Sequence, residues 1–150
     1  MKPKIHRTVI QPVMLYRLET VPQTRKTTRR LEVTEMKMCR WACGVTRTDR
    51  VRNEDIRERI GVTNIGARCR RARLRWFGHV KRREENYVGR RMLSMVPPGV
   101  TGRGRPRQRW TDTINAGMRS AGAREEDTQE REVWKAFTSA SATPYHTRDA

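Results

Sequence analysis

The chain has 150 residues, of which 35% are hydrophobic and 33% charged, and its formal net charge is +18. That length fits one domain or two very small ones, and the apolar share is low for a self-sufficient core. No window approaches 18 uncharged apolar residues, which excludes a membrane-spanning helix. The N-terminus Met1-Lys2-Pro3-Lys4-Ile5-His6-Arg7 lacks an apolar signal core, so an intracellular, nuclear location is expected rather than secretion.

Of the 34 basic residues 28 are arginine, and they are unevenly spread. Residues 1–24 carry a net +3, residues 25–110 a net +17 and residues 111–150 a net −2. A compact domain with this charge repels itself, so a polyanionic partner, RNA or DNA, is expected, and no membrane. Arginine favours phosphate because its planar fork meets oxygens bidentately. The middle of the chain is where that contact is expected.

In chain order, residues 8–21 (Val9, Ile10, Val13, Leu15, Leu18, Val21) read as a strand or an irregular apolar arm. A helix follows from about Thr28 to Cys43. Leu31, Met38, Trp41, Ala42 and Val45 lie near one face, and Gly44 is its stop. A short helix starts at Asn53 as N-cap, with Glu54 and Asp55 in its first turn, Ile56 and Ile60 as its stripe and Gly61 at its end. The clearest helix is capped by Asn64 and runs to about Arg83. Its apolar stripe of Ile65, Cys69, Ala72, Trp76 and Val80 falls within roughly 80° of arc. Arg68, Arg70, Arg71, Arg75, Lys81 and Arg82 share the opposite side with Leu74. Gly78 weakens this helix by about 1 kcal/mol relative to alanine.

A fourth helix is predicted over Asn86 to Met95 with Val88, Met92 and Met95 inward. A Gly/Pro/Arg linker spans 97–106. Pro106 then opens a fifth helix with Trp110, Ile114 and Met118 on one side and Gly122 after it. Asp127 with Glu130 resembles a capping box that starts a sixth, carrying Val133, Phe137 and Ala140. The expected fold is mainly α, a small bundle of about five to six helices with a basic face and an irregular N-terminal arm. Its segments are an arm (1–24), a basic helical domain (25–96), the linker (97–106), C-terminal helices (107–140) and a tail (141–150). The four tryptophans, Trp41, Trp76, Trp110 and Trp134, are expected as core anchors.

Long cationic side chains on a rigid helix face can follow a phosphate backbone. Arg68, Arg70, Arg71, Arg75, Lys81, Arg82 and Arg83 are therefore the first candidate contact. Gly102-Arg103-Gly104-Arg105-Pro106-Arg107 matches an AT-hook core, whose glycines let a chain lie deep in a narrow minor groove. Arg103, Arg105, Arg107 and Arg109 form the second candidate contact. The turn Gly61-Val62-Thr63 has a spacing compatible with a helix-turn-helix as well as with an ordinary helical corner. Cys39, Cys43, Cys69 and His79 could together ligate zinc, but no Cys-x-x-Cys loop occurs, so small buried hydrophobes are the simpler reading. No metal or other cofactor is expected. No adjacent aspartates, Gly-x-x-x-x-Gly-Lys, His-Glu-x-x-His or Gly-x-Ser-x-Gly are present, so no catalytic residue is assigned.

Several ordered stretches are familiar. They are the run Arg30-Leu31-Glu32-Val33-Thr34-Glu35-Met36-Lys37-Met38-Cys39-Arg40-Trp41-Ala42-Cys43-Gly44-Val45-Thr46-Arg47, then Asp49-Arg50-Val51-Arg52-Asn53-Glu54-Asp55-Ile56, then Ala72-Arg73-Leu74-Arg75-Trp76-Phe77-Gly78-His79-Val80-Lys81-Arg82. Val88-Gly89-Arg90-Arg91, Gly104-Arg105-Pro106-Arg107-Gln108-Arg109-Trp110 and Val133-Trp134 follow. Over roughly residues 12–140 the chain resembles the C-terminal region of endonuclease–reverse transcriptases of non-LTR (LINE-type) retrotransposons. Leu15-Tyr16-Arg17-Leu18-Glu19-Thr20-Val21 resembles that family's Leu-Tyr-Gly-x-Glu-Thr-Trp, with departures at Arg17 and Val21. The resemblance implies thumb and post-thumb sequence that grips template RNA or target DNA, beyond the catalytic palm. The family's endonuclease and polymerase motifs have no counterpart here. The expected function is non-catalytic nucleic-acid binding. The alternatives are a stand-alone AT-hook-like regulatory protein and part of an RNA-directed DNA polymerase whose catalytic domain is missing from this chain.

Overall fold

The computed structural model describes residues 2–95, 104 and 108–140. The fold is mainly α, and all regular structure among the described residues is helical. The first departure from expectation is the N-terminal segment, which is not an irregular arm. Helix α1 (Lys2–Ile5), a π turn (His6–Ile10) and α2 (Gln11–Leu15) form one helical rod. Ile5, Val9 and Val13 face solvent, whereas the polar His6 and Gln11 are buried. A rod anchored by buried polar groups leaves no apolar period to read.

Helix α3 (Arg25–Cys43) begins about one turn earlier than predicted. Extended Thr24 caps it, its hydroxyl accepting from the Thr27 N–H at 3.2 Å. Helix α4 (Asn53–Ile60) has Arg52, not Asn53, at its N-cap. The Asn53 Oδ1 instead accepts from Arg40 Nη2 at 2.9 Å. Gly44 and Gly61 end α3 and α4 as expected, with φ of +67° and +69° that favour glycine. Between these helices lies a core of Met36, Cys39, Ile56, Ile60 and Val62. Trp41 is not part of it and is 67% exposed, because Met36 and Cys39 set the inward face and Trp41 lies about 140° around the helix from Met36.

Helix α5 (Ile65–Lys81) starts at its predicted cap: Asn64 Oδ1 accepts from the N–H groups of Gly66 at 2.7 Å and Ala67 at 3.2 Å. It is the central helix. Around it pack α2, α3, α6 (Val88–Ser94), α7 (Trp110–Ala121) and α8 (Arg131–Ala140). Neighbours on several sides correct the expected two-faced division. Leu74, placed on the basic side, is 1% exposed; Arg73 is buried and Trp76 only half-buried. The main core joins Leu74 and Phe77 to Ile114, Met118, Ala123 and Trp134. The segments before and after the linker therefore share a core.

Val88, Met92 and Met95, predicted inward, are exposed, and Leu93 is the α6 residue that reaches the core. Helix α7 starts at Trp110 rather than Pro106. Its N-cap is extended Arg109, whose N–H donates to Asp112 Oδ2 at 2.8 Å. Asp127 does not open the last helix. Its Oδ2 accepts from the Arg124 N–H at 2.7 Å and closes a 3-10 turn (Glu126–Thr128). On α8 the buried face is one residue on from that expected: Trp134 and Thr138 are buried, Val133 is exposed and Phe137 packs at the core edge. The cause is Gly78. Trp134 lies against its bare Cα, and the indole Nε1 donates to Leu74 O at 2.9 Å. The residue that weakens α5 locally is the slot that admits α8. The predicted tail, 141–150, lies outside the described residues.

Candidate nucleic-acid interface

Between the N-terminal rod and α8 runs an open groove of about 1100 Å³, floored by α5. Arg71, Arg75, His79 and Arg82 line the floor at helical spacing, together with Trp76. Tyr16, Arg17 and Glu19, in the turn after α2, form one wall, and Arg131, Lys135 and Thr138 of α8 form the other. The lining thus holds Arg17, Arg71, Arg75, Arg82, Arg131 and Lys135 against the single carboxylate of Glu19. The side chains of Arg75 and Arg131 make no hydrogen bond or ion pair with another described residue. The Lys135–Glu132 pair, 3.3 Å apart, is largely exposed and weakly neutralising.

The structure brings Arg71, Arg75 and Arg82 together in this groove and disperses the other predicted contacts. Arg71 Nη2 donates to Ser139 Oγ at 3.3 Å, and Arg82 Nη1 to Thr128 O at 2.7 Å. Neither has a carboxylate partner among the described residues. Arg68 donates to Gln11 Oε1 and ties α5 to α2. Lys81 pairs with Glu125 and lies 5.6 Å from the Phe77 ring centroid. Arg70 lies along α7 beside Gly117. Arg83 stands 5.7 Å from the Tyr87 ring centroid, and Arg109 is exposed at the start of α7. Arg103, Arg105 and Arg107 of the AT-hook-like run lie outside the described residues. As for a helix-turn-helix, Ile65, Ala67 and Cys69 are buried and Arg68 is held by Gln11, so the first half of α5 presents no free side to a major groove.

Sequence reasoning missed Tyr16, Arg17, Arg131 and Lys135. The net −2 of residues 111–150 concealed that Arg131, Lys135 and Thr138, at i, i+4 and i+7, share one face of α8. Arg17 carried a different signal. Its φ is +58°, in the left-handed region, at the position where the resembling pattern has glycine. The turn around it is closely tied: Leu18 N–H donates to Leu15 O at 3.1 Å, Thr20 N–H to Arg17 O at 3.3 Å and Trp110 Nε1 to Glu19 O at 2.7 Å. The left-handed conformation costs a side chain about 1–2 kcal/mol, while glycine adds about 0.4–1 kcal/mol of unfolded-chain entropy. Arg17→Gly should therefore stabilise the fold by about 0.5–1 kcal/mol in urea denaturation.

Behind the groove wall lies a buried polar cluster. Glu35 is fully buried; its Oε1 accepts from Gln11 Nε2 at 3.2 Å and its Oε2 from the Ile65 N–H at 3.2 Å, with Arg57 Nε at 3.8 Å. The carboxylate so placed meets the positive end of α5. His6 Nε2 lies 3.7 Å from Cys39 Sγ. Burial lowers the His6 pKa, with Glu35 opposing and Arg68 adding to the shift. Burial, reinforced by Glu35, pushes the Cys39 thiol up to about 11, and burial also raises Cys69. Both thiols are wholly buried, as expected of small hydrophobes. The four residues weighed as zinc ligands do not come together. Cys39 sits beside His6, Cys69 Sγ accepts from Gln23 Nε2 at 3.8 Å and His79 faces the groove. Among the described residues no three His, Cys, Asp or Glu side chains converge as a metal site.

No family model, no curated protein and no solved structure matches this chain.

Proposed function

We propose that the groove binds nucleic acid through phosphate contacts, and that the chain is the non-catalytic, nucleic-acid-gripping C-terminal part of a non-LTR-type reverse transcriptase. The observation that carries the reading is the concentration of Arg17, Arg71, Arg75, Arg82, Arg131 and Lys135 around one groove against Glu19. Positive groups on the walls and floor of one cleft focus their field within it and attract a polyanion. Five of the six are arginines, whose forks suit phosphate oxygens. The family reading draws support from where its motifs lie. The stretch 72–82 supplies the floor with Arg75, Trp76, His79 and Arg82. The stretch 15–21 supplies Tyr16, Arg17 and Glu19, and Trp134 of the Val133-Trp134 pair lines the α8 side.

The test is the double variant Arg71→Gln/Arg75→Gln, read by fluorescence anisotropy against RNA, single-stranded DNA and duplex DNA. Glutamine keeps helix propensity and removes two charges. Affinity for every nucleic acid should fall, and the slope of log affinity against log salt should shrink by about 1.4 on a single strand and about 1.8 on a duplex. Unchanged affinity and slope, with circular dichroism unaltered, would remove the groove as the binding face.

A further inference from the structure

Resting on the groove as a nucleic-acid site, we infer that its ligand is single-stranded and that Tyr16 is the platform on which one base stacks. Tyr16 is 74% exposed, the most exposed large hydrophobic residue among those described. It lines the groove beside Arg17, whose guanidinium carbon stands 6.0 Å from the ring centroid. The ring is carried on a turn that is tied down rather than loose, through the Trp110 Nε1 to Glu19 O bond of 2.7 Å and the bonds from Leu18 and Thr20. The left-handed Arg17 that follows it is the kind of backbone cost that persists where the surroundings enforce it, often at binding sites. A second aromatic stands on the floor: Trp76 is half-buried and meets Trp110 edge-on, with centroids 5.3 Å apart at 85°.

Cations interleaved with aromatic faces along a groove are what an unpaired strand needs, since arginines track its phosphates while rings cover its bases. A duplex offers the same phosphates, but its base faces are already covered by their neighbours, so Tyr16 gains nothing from it. Arginine alone therefore reads both ligands, and Tyr16 separates them.

The experiment compares the full chain with Tyr16→Ala and Tyr16→Phe. The probes are a labelled oligouridylate, an oligothymidylate and a blunt DNA duplex carrying the same number of phosphates. Tyr16→Ala should weaken single-strand binding by about 5- to 100-fold and leave the duplex unchanged. The salt slope should not move, because no charge is lost. Tyr16→Phe should keep wild-type affinity. A loss on oligouridylate alone would identify the strand as RNA, and a loss on oligothymidylate alone as DNA. Equal losses on single strand and duplex, or no loss on any strand, would overturn the stacking role. If the wild-type chain binds no probe, or if Arg71→Gln/Arg75→Gln leaves the salt slope intact, the groove reading itself fails. Slope reports the arginines and strand selectivity reports the ring, so the two failures are distinct.

Discussion

Replacing Gly78 by alanine should destabilise the protein by about 1–3 kcal/mol, although the same exchange in an exposed helix stabilises by about 1 kcal/mol. The sign is decided by Trp134. A Cβ on residue 78 would collide with the indole Nε1, and would stand 2.5 Å from Cδ1 and 2.9 Å from Cε2. Moving the indole would give up the contacts that hold it. It is 2% exposed, packs with Phe77 at a centroid distance of 6.1 Å and donates to Leu74 O. Removing the ring by Trp134→Ala should cost more, about 3–5 kcal/mol, through lost burial and the cavity left behind. The two substitutions should not add. Once the indole is gone, the methyl of Gly78→Ala enters empty space, and its helix propensity should make it favourable in the Trp134→Ala background. Urea denaturation of the four proteins followed by circular dichroism measures this cycle. Neutral or stabilising behaviour of Gly78→Ala in the wild-type background would remove the account of how α8 is seated.

Local signals were legible in part: several helix starts were misplaced although Thr24, Arg52, Arg109 with Asp112, and Arg124 with Asp127 set them within a few residues, whereas other caps and stops were read correctly. Asn64 caps α5 through its own Oδ1, and Gly44 and Gly61 end their helices with left-handed φ. The mainly helical fold follows from the apolar spacings of Ile56, Ile60 and Ile65 onward. The errors about which faces are buried share one cause. A single helix's periodicity reports one neighbour, and α5 has several, so Leu74 is buried on a side that read as polar. Helix α8 turned by one residue because its inward face is chosen by Gly78, which lies 56 residues before Trp134 in the chain. The N-terminal rod is held by His6, Gln11 and Glu35, polar residues that carry no hydrophobic signal. The groove was only partly legible for the same reason. Arg71, Arg75 and Arg82 belong to one helix and could be grouped, whereas Arg17, Arg131 and Lys135 join them only when three separate elements meet.

That assembled set of charges fixes how binding should respond to salt. If the six groove cations each neutralise one phosphate, the slope of log affinity against log salt is about −4.2 for a single strand and about −5.4 for a duplex. Between 50 and 200 mM monovalent salt the single-strand affinity should then fall by about 300-fold. Lys81 adds little to this count because Glu125 holds it, and Arg68 is turned toward Gln11. Arg103, Arg105 and Arg107 supply an independent increment. If they also meet phosphates, the single-strand slope steepens by about 2 and Arg→Gln at all three restores the shallower value. If they enter a narrow minor groove instead, their removal should weaken AT-rich duplex selectively and leave the single-strand slope at its six-cation value. Anisotropy titrations at four salt concentrations, on single strand, AT-rich duplex and GC-rich duplex, measure all of these together. A salt-independent affinity would exclude phosphate neutralisation as the basis of binding, because no arrangement of arginines can displace condensed counterions without that dependence.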